Sequence, residues 1–329
     1  MSEFVNIYKI DDNSLKNAKY YVTHNMLVAF PTETVYGLGC NALSDEAVKA
    51  VYAAKGRPSD NPLIVHLPTD CSYEDYVFDN PMAGDLRQAF LPGPLTLVYK
   101  SKNVVSPLVS CGLDTLAIRV PAHEGAQRFL RYVGIPIAAP SANVSKHVSP
   151  VTAMHVYRDF GSSIPMILDG GRCEGGIEST VLDVTGDVPV ILRKGLVTAE
   201  MVKKVVGACV YAGDGSELSK RSPGTKYRHY CPKTETKLFE RSQVNGALAL
   251  YDDCVESGKT ALIMCDSSVA KDISDKNVFD LGESGNVMAN RLYYGLHEGE
   301  KYDLLIGIKF DVDDEVKLGV ENRFLKAFG

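Results

Sequence analysis

Seven short runs of apolar, mostly β-branched residues occur along the N-terminal two-thirds of the chain and restrict its fold to one built around a β-sheet. The runs are MLVAF (26–30), PLIVHL (62–67), LTLVYK (95–100), TLAIRV (115–120), IPIAAP (135–140), MILDG (166–170) and STVLDV (179–184). Some are separated by segments of helical spacing. SDEAVKAVYAAKG (44–56) has Ser44 as N-cap and Gly56 as its stop, and a second helix follows Pro150 over 151–160. This alternation predicts a mixed α/β domain.

The chain changes in composition near residue 209. Residues 219–237 contain six Lys or Arg against one acid, with two prolines and one glycine, which is typical of an extended linker. Beyond it, helices are predicted at 243–257, 286–298 and 314–328, and strands at 259–265, 277–282 and 303–308. Such alternation predicts a small three-layer α/β domain with a largely parallel sheet. We therefore expect a first domain (1–208), a basic linker (209–237) and a C-terminal domain (238–329).

Composition argues against several classes of protein. At 329 residues with 45% hydrophobic content, the chain can fill two cores. No apolar run approaches the ~20 residues of a membrane span, and the start MSEFVNIYKIDDNS lacks the apolar core of a secretory signal. The eight cysteines include no CxxC pair, which argues against a zinc site and favours a reducing, cytoplasmic location. A net charge of −6 disfavours general nucleic-acid binding but does not exclude a local basic patch.

Two glycine-containing motifs resemble nucleotide-binding sequences but lack their context. GLGCNA (37–42) satisfies G-x-G-x-x-A, yet PTETVY separates it from the preceding strand, and a dinucleotide site needs its first glycine directly after that strand. SGKT (257–260) resembles the end of a P-loop, but Asp253 occupies the position of the first glycine. Gly258 is better interpreted as a helix stop. Neither motif predicts a cofactor site.

Polar clusters at the strand ends are the strongest functional signal. They are PTETVYGLG (31–39), KGRPSDNPLIVH (55–66), LPGPLTLV (91–98), TLAIRVP (115–121), APSANVSKHVSP (139–150), GGIESTV (175–181) and ILRKG (191–195). Taken singly, Lys55 and Arg57 are explained by a helix C-terminus, and His66 by a core position. Ser141 and Asn143 are explained by a turn. Together, such basic, hydroxyl and amide groups predict a site for an anionic substrate with carboxylate and phosphate groups. Acids are scarce, so a magnesium ion would be held mainly by the substrate's own phosphates.

In this order and spacing, FPTETVYGLG, KGRP-x-x-NPL, PGPLT, AIRVP, PSAN-x-S, EST and LRKG resemble the YrdC-like threonylcarbamoyl-AMP synthase family. SPGTKYRHYCP and the tail ending VKLGVENRFLKAF resemble its longer, two-domain subgroup. The resemblance implies a twisted, mostly parallel α/β catalytic domain around a concave basic cavity, and a smaller Rossmann-like C-terminal domain.

The same resemblance implies a reaction. Members of the family convert L-threonine, bicarbonate and ATP to threonylcarbamoyl-AMP, pyrophosphate and water, toward threonylcarbamoyladenosine at position 37 of tRNA. ATP and bicarbonate are then substrates, and no organic cofactor is expected. The adenylate is expected to pass to a tRNA threonylcarbamoyl transferase complex, with tRNA itself bound at most weakly.

The resemblance also assigns site residues. Threonine is expected to contact Thr34, His66, Arg119, the backbone at Ala139, and Ser179. ATP is expected to contact Arg57, Asn61, Thr115, Ser141, Ser149, Arg193 and Tyr230. Lys55 and Arg57 are expected to act catalytically by adding charge at the bicarbonate and phosphates, and the role of Glu33 stays open. The linker segment SPGTKYRHYCP is expected to form a lid over the nucleotide, with Lys226 or Arg228 near its phosphates. No protein side chain is expected to ligate a metal.

Two other classes of function stay open from the sequence. An RNA-binding regulatory module would use the same basic concave face, and its affinity would fall steeply with salt. A dinucleotide oxidoreductase would use GLGCNA and the C-terminal α/β domain, and it would bind a nicotinamide cofactor. Pyrophosphate release that requires both threonine and bicarbonate distinguishes the synthase from these two alternatives.

Overall fold

Two β-sheets organise the chain in the computed structural model, which describes residues 6–213, 218 and 230–329. The N-terminal elements are β1 (Ile7–Lys9), α1 (Asp12–Thr23), β2 (Val28–Phe30), β3 (Gly37–Asn41), α2 (Asp45–Lys55), β4 (Ile64–His66), β5 (Val77–Phe78), α3 (Pro81–Phe90), β6 (Leu95–Ser101), β7 (Thr115–Arg119), α4 (Glu124–Val133), β8 (Ile137–Ala139), α5 (Ala153–Phe160), β9 (Met166–Asp169), β10 (Thr180–Asp183), β11 (Val190–Arg193), α6 (Ala199–Val206) and β12 (Val210–Tyr211). The C-terminal elements are β13 (Glu235–Phe239), α7 (Val244–Glu256), β14 (Ala261–Cys265), α8 (Ser267–Asp272), β15 (Val278–Asp280), α9 (Gly285–Gly299), β16 (Leu304–Ile308) and α10 (Glu315–Phe328). None of these described helices is long and apolar enough to cross a membrane.

The large sheet has the strand order β1-β9-β2-β3-β8-β4-β7-β6-β10-β11-β12, and β5 pairs with β6. Parallel pairing joins β1 to β9, β9 to β2, β4 to β7, β6 to β10 and β11 to β12. The other neighbours pair in antiparallel fashion. All seven strands predicted from the apolar runs are present, with ends that differ by at most two residues. The predicted α/β class and two-domain organisation are confirmed.

Strand pairing places several predicted site residues side by side. The parallel pairing of β4 with β7 puts His66 beside Arg119, and the antiparallel pairing of β4 with β8 puts Ile64 beside Ala139. The predicted helix α2 ends as expected, since Gly56 has a left-handed backbone with φ of 58°. Three neighbouring strands and the end of one helix therefore supply adjacent parts of the site.

Helices cover both faces of the large sheet. α1 and α4 pack against β2, β8 and β9 through one apolar cluster, which includes Leu15, Phe30 and Phe129. α2 and α5 belong to the cluster on the other side, which includes Val51, Val65 and Val156. Both clusters are apolar, so polar site residues are found at the strand ends and not between the helices and the sheet.

The C-terminal sheet is parallel throughout, with the order β13-β16-β14-β15. α7 and α8 cover the face that carries Ile263 and Ile306. α9 and α10 cover the opposite face, which carries Met264 and Leu305. This arrangement confirms the predicted three-layer α/β domain. The three predicted helices begin and end within one residue of their predicted bounds, whereas α8 and β13 were not predicted.

Helices α9 and α10 also pack against the N-terminal domain. Met288, Leu292 and Phe324 share one buried cluster with Ile177. The backbones come closest at Gly176, where φ is 71° and an added Cβ would lie 2.2 Å from the carbonyl oxygen of Ala289. The two domains are therefore in direct contact at this glycine.

We predict that Gly176→Ala destabilises the protein more than Gly171→Ala. Both glycines have positive φ, but the space around a Cβ at Gly171 is open. Both substitutions should cost about 1–2 kcal/mol for left-handed backbone. Gly176→Ala adds overlap with α9, which costs roughly a further 1–3 kcal/mol. Calorimetry should therefore show the larger loss of Tm for Gly176→Ala, and equal losses would contradict the close domain contact.

Candidate functional site

One cleft brings together nine of the thirteen residues expected to bind substrates. They are Lys55, Arg57, His66, Arg119, Ala139, Ser141, Ser149, Arg193 and Tyr230. The ends of β4, β7, β8 and β11 supply four of them, the C-terminus of α2 supplies two, and the segment between β8 and α5 supplies two more. Clusters that lie far apart in the sequence therefore form a single concave surface.

Two of the remaining predicted residues support the lining from behind it. Thr34 is fully buried, and its hydroxyl lies 2.9 Å from Oγ1 of Thr32, which lines the cleft instead. Ser179 holds Arg193, whose Nε donates to the Ser179 carbonyl at 3.0 Å and whose Nη2 donates to Ser179 Oγ at 3.1 Å. Neither Thr34 nor Ser179 lines the cleft, so their contact with threonine stays a prediction.

Asn61 and Thr115 are also buried outside the lining. The main-chain oxygen of Asn61 accepts from Arg57 Nη2 at 3.0 Å and from the Tyr52 hydroxyl at 3.0 Å. Thr115 begins β7, four residues before Arg119. Asn61 therefore acts on the cleft through Arg57, and direct contact of either residue with ATP stays a prediction.

Lys55 is buried at the end of α2, with its ammonium directed at protein oxygens. Nζ donates to the Ser141 carbonyl at 2.6 Å and to both the main-chain and side-chain oxygens of Asn143. Burial, and then the charge of Arg57, lower the pKa of Lys55. Since an ammonium has three N–H donors, these contacts fix the turn at residues 141–143. Direct contact of Lys55 with bicarbonate or phosphate stays a prediction.

The Arg57 guanidinium lines the cleft, and one of its terminal nitrogens is already hydrogen-bonded to protein oxygens. Nη2 donates to the main-chain oxygens of Asn61 at 3.0 Å and Pro62 at 3.4 Å. Nε is buried, and no described residue offers it a hydrogen-bond acceptor. Burial lowers the pKa of Arg57, but an arginine side chain stays protonated in proteins. A buried, charged donor without an acceptor marks a position for an anion.

Arg119 is oriented by Glu33. Nη2 of Arg119 lies 2.8 Å from Glu33 Oε1, and Glu33 Oε2 accepts from the main-chain N–H of Ala122 at 3.1 Å. Glu33, whose role the sequence left open, thus holds the guanidinium. Arg119 Nε is buried and has no acceptor within the described part of the chain. It is the second unpaired guanidinium donor in the cleft.

His66, beside Arg119, is neutral. Its Nδ1 lies 3.0 Å from the Ile64 carbonyl oxygen, which only accepts, so Nδ1 carries the proton. Burial, and then the charge of Arg119, lower the pKa of His66 to about 3. At neutral pH the ring therefore adds a polar surface beside Arg119 and no further positive charge.

Glu178 is the carboxylate that lines the cleft among the residues described. Ser149 Oγ donates to Glu178 at 2.7 Å, and the Tyr293 hydroxyl lies 3.0 and 2.9 Å from its two oxygens. Arg323 Nε donates at 2.7 Å. Burial alone would raise the pKa of Glu178, but the charges of Arg323 and Arg193 and these hydrogen bonds lower it to about 2. An ionised carboxylate at the cleft is thus held by residues of both domains.

Tyr230 is anchored by contacts with both domains. It is buried, with φ of 69°, and its ring centroid lies 5.2 Å from that of Tyr293. The next residue, Cys231, donates its N–H to the Lys146 carbonyl at 2.8 Å. The C-terminal end of the predicted lid is therefore attached at the cleft. Lys226 and Arg228 lie outside the described residues.

Seven lining residues with polar side chains were not among the predicted contacts: Thr32, Tyr36, Asn143, Ser145, Lys146, His147 and Glu178. Thr32 was missed because the predicted threonine contact was assigned to Thr34, which lies two residues away within PTET. Asn143 was considered only as a turn former. Glu178 had the clearest available signal, because it is an acid inside the EST cluster of a site otherwise poor in acids.

The structure does not favour the two alternative functions. GLGCN forms strand β3, antiparallel to β2, and not a glycine-rich turn before a helix. Lys55 and Arg119 are only 2% and 3% exposed, so their charges do not lie on the outer surface that a polynucleotide backbone contacts.

The donor set of the cleft suits anions better than metal ions. Within residues 6–213, 218 and 230–329, no three or more His, Cys, Asp or Glu side chains form a potential metal site. Glu178 is already bound to Arg323, Tyr293 and Ser149. Guanidinium, ammonium, hydroxyl and amide groups instead match carboxylate and phosphate oxygens.

Comparison with known proteins agrees with this organisation. A family profile described as "Telomere recombination" (Sua5, YciO, YrdC) matches residues 21–195, and one described as "Threonylcarbamoyl-AMP synthase, C-terminal domain" matches residues 197–329. The threonylcarbamoyl-AMP synthase of Pyrococcus abyssi is 39% identical, over 98% of this chain and 96% of that protein. The Bacillus subtilis threonylcarbamoyl-AMP synthase is also 39% identical, over 97% of this chain and 94% of its own length.

Solved structures of related proteins share the fold of this chain. The crystal structure of P. abyssi Sua5 complexed with L-threonine superposes with a TM-score of 0.85 at 37% identity, covering 98% of this chain and 97% of that one. E. coli YciO, at 21% identity and a TM-score of 0.52, shares the fold over 58% of this chain. Because the relatives match over nearly their whole length and in both domains, this chain belongs to the two-domain threonylcarbamoyl-AMP synthase family.

Proposed function

We propose that this protein is an L-threonylcarbamoyladenylate synthase that uses L-threonine, bicarbonate and ATP. The observation that carries the proposal is a pair of buried guanidinium donors, Arg57 Nε and Arg119 Nε. Both arginines line one cleft, and both donors lack acceptors among the described residues. The carboxylate of threonine and the phosphates of ATP are acceptors of the required charge. Relatives named as this synthase, and the threonine complex of P. abyssi Sua5, support the same substrates.

The reaction requires binding and alignment of the substrates more than it requires reactive protein side chains. The threonine amine attacks the carbon of bicarbonate, and loss of water leaves a carbamate. A carbamate oxygen then attacks the α-phosphorus of ATP, forming a new P–O bond while the bond to pyrophosphate breaks. No protein nucleophile takes part. Because the reactants are anions, holding them in line and offsetting their repulsion supplies the catalysis.

The cleft offers separate parts to the two large substrates. We assign the threonine carboxylate to Arg119, which Glu33 orients, with neutral His66 and the backbone at Ala139 nearby. Thr34 and Ser179 would support this part from behind it.

We assign the nucleotide to Arg57, Ser141, Ser149, Arg193 and Tyr230, with Asn61 and Thr115, which are buried outside the lining, as further proposed contacts. Lys55 would act here through the turn it holds at residues 141–143. Bicarbonate would bind between the threonine and nucleotide parts.

Magnesium is proposed to bind through the phosphates of ATP. The described carboxylate of the cleft, Glu178, is bound to Arg323 and Tyr293, so we assign no protein ligand to the ion. We further propose a cytoplasmic location and transfer of the adenylate to a tRNA threonylcarbamoyl transferase complex. The predicted bounds 1–208, 209–237 and 238–329 need one adjustment at each end of the linker, because β12 (Val210–Tyr211) pairs with β11 in the first sheet and β13 (Glu235–Phe239) pairs with β16 in the second.

The function is tested by pyrophosphate release from ATP. We expect release that requires both L-threonine and bicarbonate, because the carbamate is the nucleophile. Omitting either substrate should reduce the rate to background, and valine should replace threonine poorly because it leaves polar groups of the site unpaired. Pyrophosphate release that ignores threonine, or nicotinamide binding in its place, would contradict the proposal.

The division of the cleft is tested by Arg119→Met and Arg57→Met. Arg119→Met should raise KM for threonine, and Arg57→Met should lower kcat/KM for ATP. Each removes a charge-assisted hydrogen bond of about 1.5–3 kcal/mol, which corresponds to roughly tenfold to a few hundredfold. Arg131→Met is the control, since Arg131 is exposed on α4 and pairs with Asp70 outside the cleft. Near-normal kinetics of both cleft variants would refute the assignment.

A further inference from the structure

The C-terminal domain contacts the cleft most directly at the carboxylate of Glu178. Glu178 precedes β10 in the N-terminal domain, whereas Tyr293 lies on α9 and Arg323 on α10. Tyr293 and Arg323 donate hydrogen bonds to Glu178, and both are essentially buried. Arg323 Nη1 also donates to the Gly319 carbonyl at 2.7 Å, which fixes the guanidinium on its own helix. The second domain thus presents a rigid, charged partner to a residue of the site.

Glu178 in turn determines how Ser149 faces a ligand. Ser149 Oγ donates its hydroxyl proton to Glu178 at 2.7 Å. A hydroxyl has one proton, so a bound molecule meets Ser149 as an acceptor of hydrogen bonds. The Ser149 carbonyl oxygen is held as well, since it lies 3.2 Å from Nε2 of His297 on α9. Both polar ends of Ser149 are therefore set by residues that depend on the C-terminal domain.

The charge of Glu178 also acts on the nucleotide part of the cleft. Glu178 and Arg193 both line the cleft, and the charge of Arg193 acts on Glu178. Arg323 shares that carboxylate and offsets its charge from the side of the C-terminal domain. Without Arg323, a buried anion would be left beside Arg193, where it would repel the phosphates of ATP.

We propose that Arg323 and Tyr293 are positioning residues for nucleotide binding: they hold Glu178, which orients Ser149 and whose negative charge Arg323 offsets in the cleft. The inference rests on the proposed function for the identity of the nucleotide as ATP. It assigns the C-terminal domain a direct part in building the site, through two side chains that touch no substrate.

The test compares Arg323→Met, the double variant Glu178→Gln/Arg323→Met, Arg323→Lys and Tyr293→Phe. Equilibrium binding of ATP to the full chain, KM for ATP and threonine, and Tm are measured for each. Arg323→Met should weaken ATP binding by about tenfold or more, because it leaves a buried carboxylate without its main partner. The double variant should recover most of that loss, because the repelling charge is removed as well. Arg323→Lys should bind ATP with intermediate affinity, and KM for threonine should change little in all four.

Asn290→Ala is the matched control for a purely structural role. Asn290 lies on α9 and bridges the domains through the Glu174 carbonyl at 2.7 Å and through Arg172, without contacting Glu178. It should lower Tm and leave ATP binding unchanged. If ATP affinity follows Tm across all variants, Asn290→Ala included, the interaction is structural and the inference is wrong.

Tyr293→Phe keeps the proposal testable if Arg323→Met does not fold. It removes one hydroxyl, and we expect ATP binding to weaken severalfold with the fold retained. Unchanged ATP affinity in a folded Tyr293→Phe or Arg323→Met variant would overturn the inference. Failure of the proposed function is recognised separately, because wild-type protein would then release no pyrophosphate in response to threonine and bicarbonate.

Discussion

The buried carboxylate of Glu178 is the interaction on which the arrangement of the cleft and the two domains depends. It accepts hydrogen bonds from Ser149 in its own domain and from Tyr293 and Arg323 in the other. A buried charge is tolerated only when it is paired and hydrogen-bonded. The domains therefore cannot separate at this point without exposing or stranding a charge, and the packing of α9 and α10 is coupled to the shape of the cleft.

The other charged side chains of the cleft differ in how completely their hydrogen-bond donors are paired with protein acceptors. Lys55 is satisfied by carbonyl and amide oxygens of the turn at residues 141–143, so it stabilises the wall of the cleft. Arg57 and Arg119 are each held at one part of the guanidinium, by the Asn61 carbonyl and by Glu33, and each keeps a buried Nε without an acceptor among the described residues. Such partial satisfaction is unfavourable in an empty site and becomes favourable when an anion binds.

Local patterns in the sequence predicted the parts of the site that lie at strand ends. His66, Arg119 and Arg193 each follow an apolar run, and strand pairing carries them into one cleft. The seven strands that were predicted from apolar runs are all present in the large sheet. The chemical character of the site, basic and poor in acids, was therefore readable from the chain alone.

Other features had no local signal. Whether Thr32 or Thr34 lines the cleft depends on the path of an irregular loop. Such a loop has no sequence periodicity that would predict which side chain faces the cleft. Glu178 and Arg323 are 145 positions apart, so their pairing follows only from the packing of the two domains. Helix α4 begins at Glu124, and its N-cap is His123, whose ring accepts from the Ala126 N–H. Histidine is not among the usual N-cap residues, and this helix was not predicted.

In the proposed reaction, the cleft joins threonine, bicarbonate and ATP into one adenylate. The most direct measurement supplies bicarbonate labelled with carbon-13 together with threonine and ATP, and determines the mass of the nucleotide product. We expect a threonylcarbamoyl adenylate that carries the label, together with pyrophosphate. A product without the label, or AMP formed at the same rate without threonine, would contradict the proposed reaction.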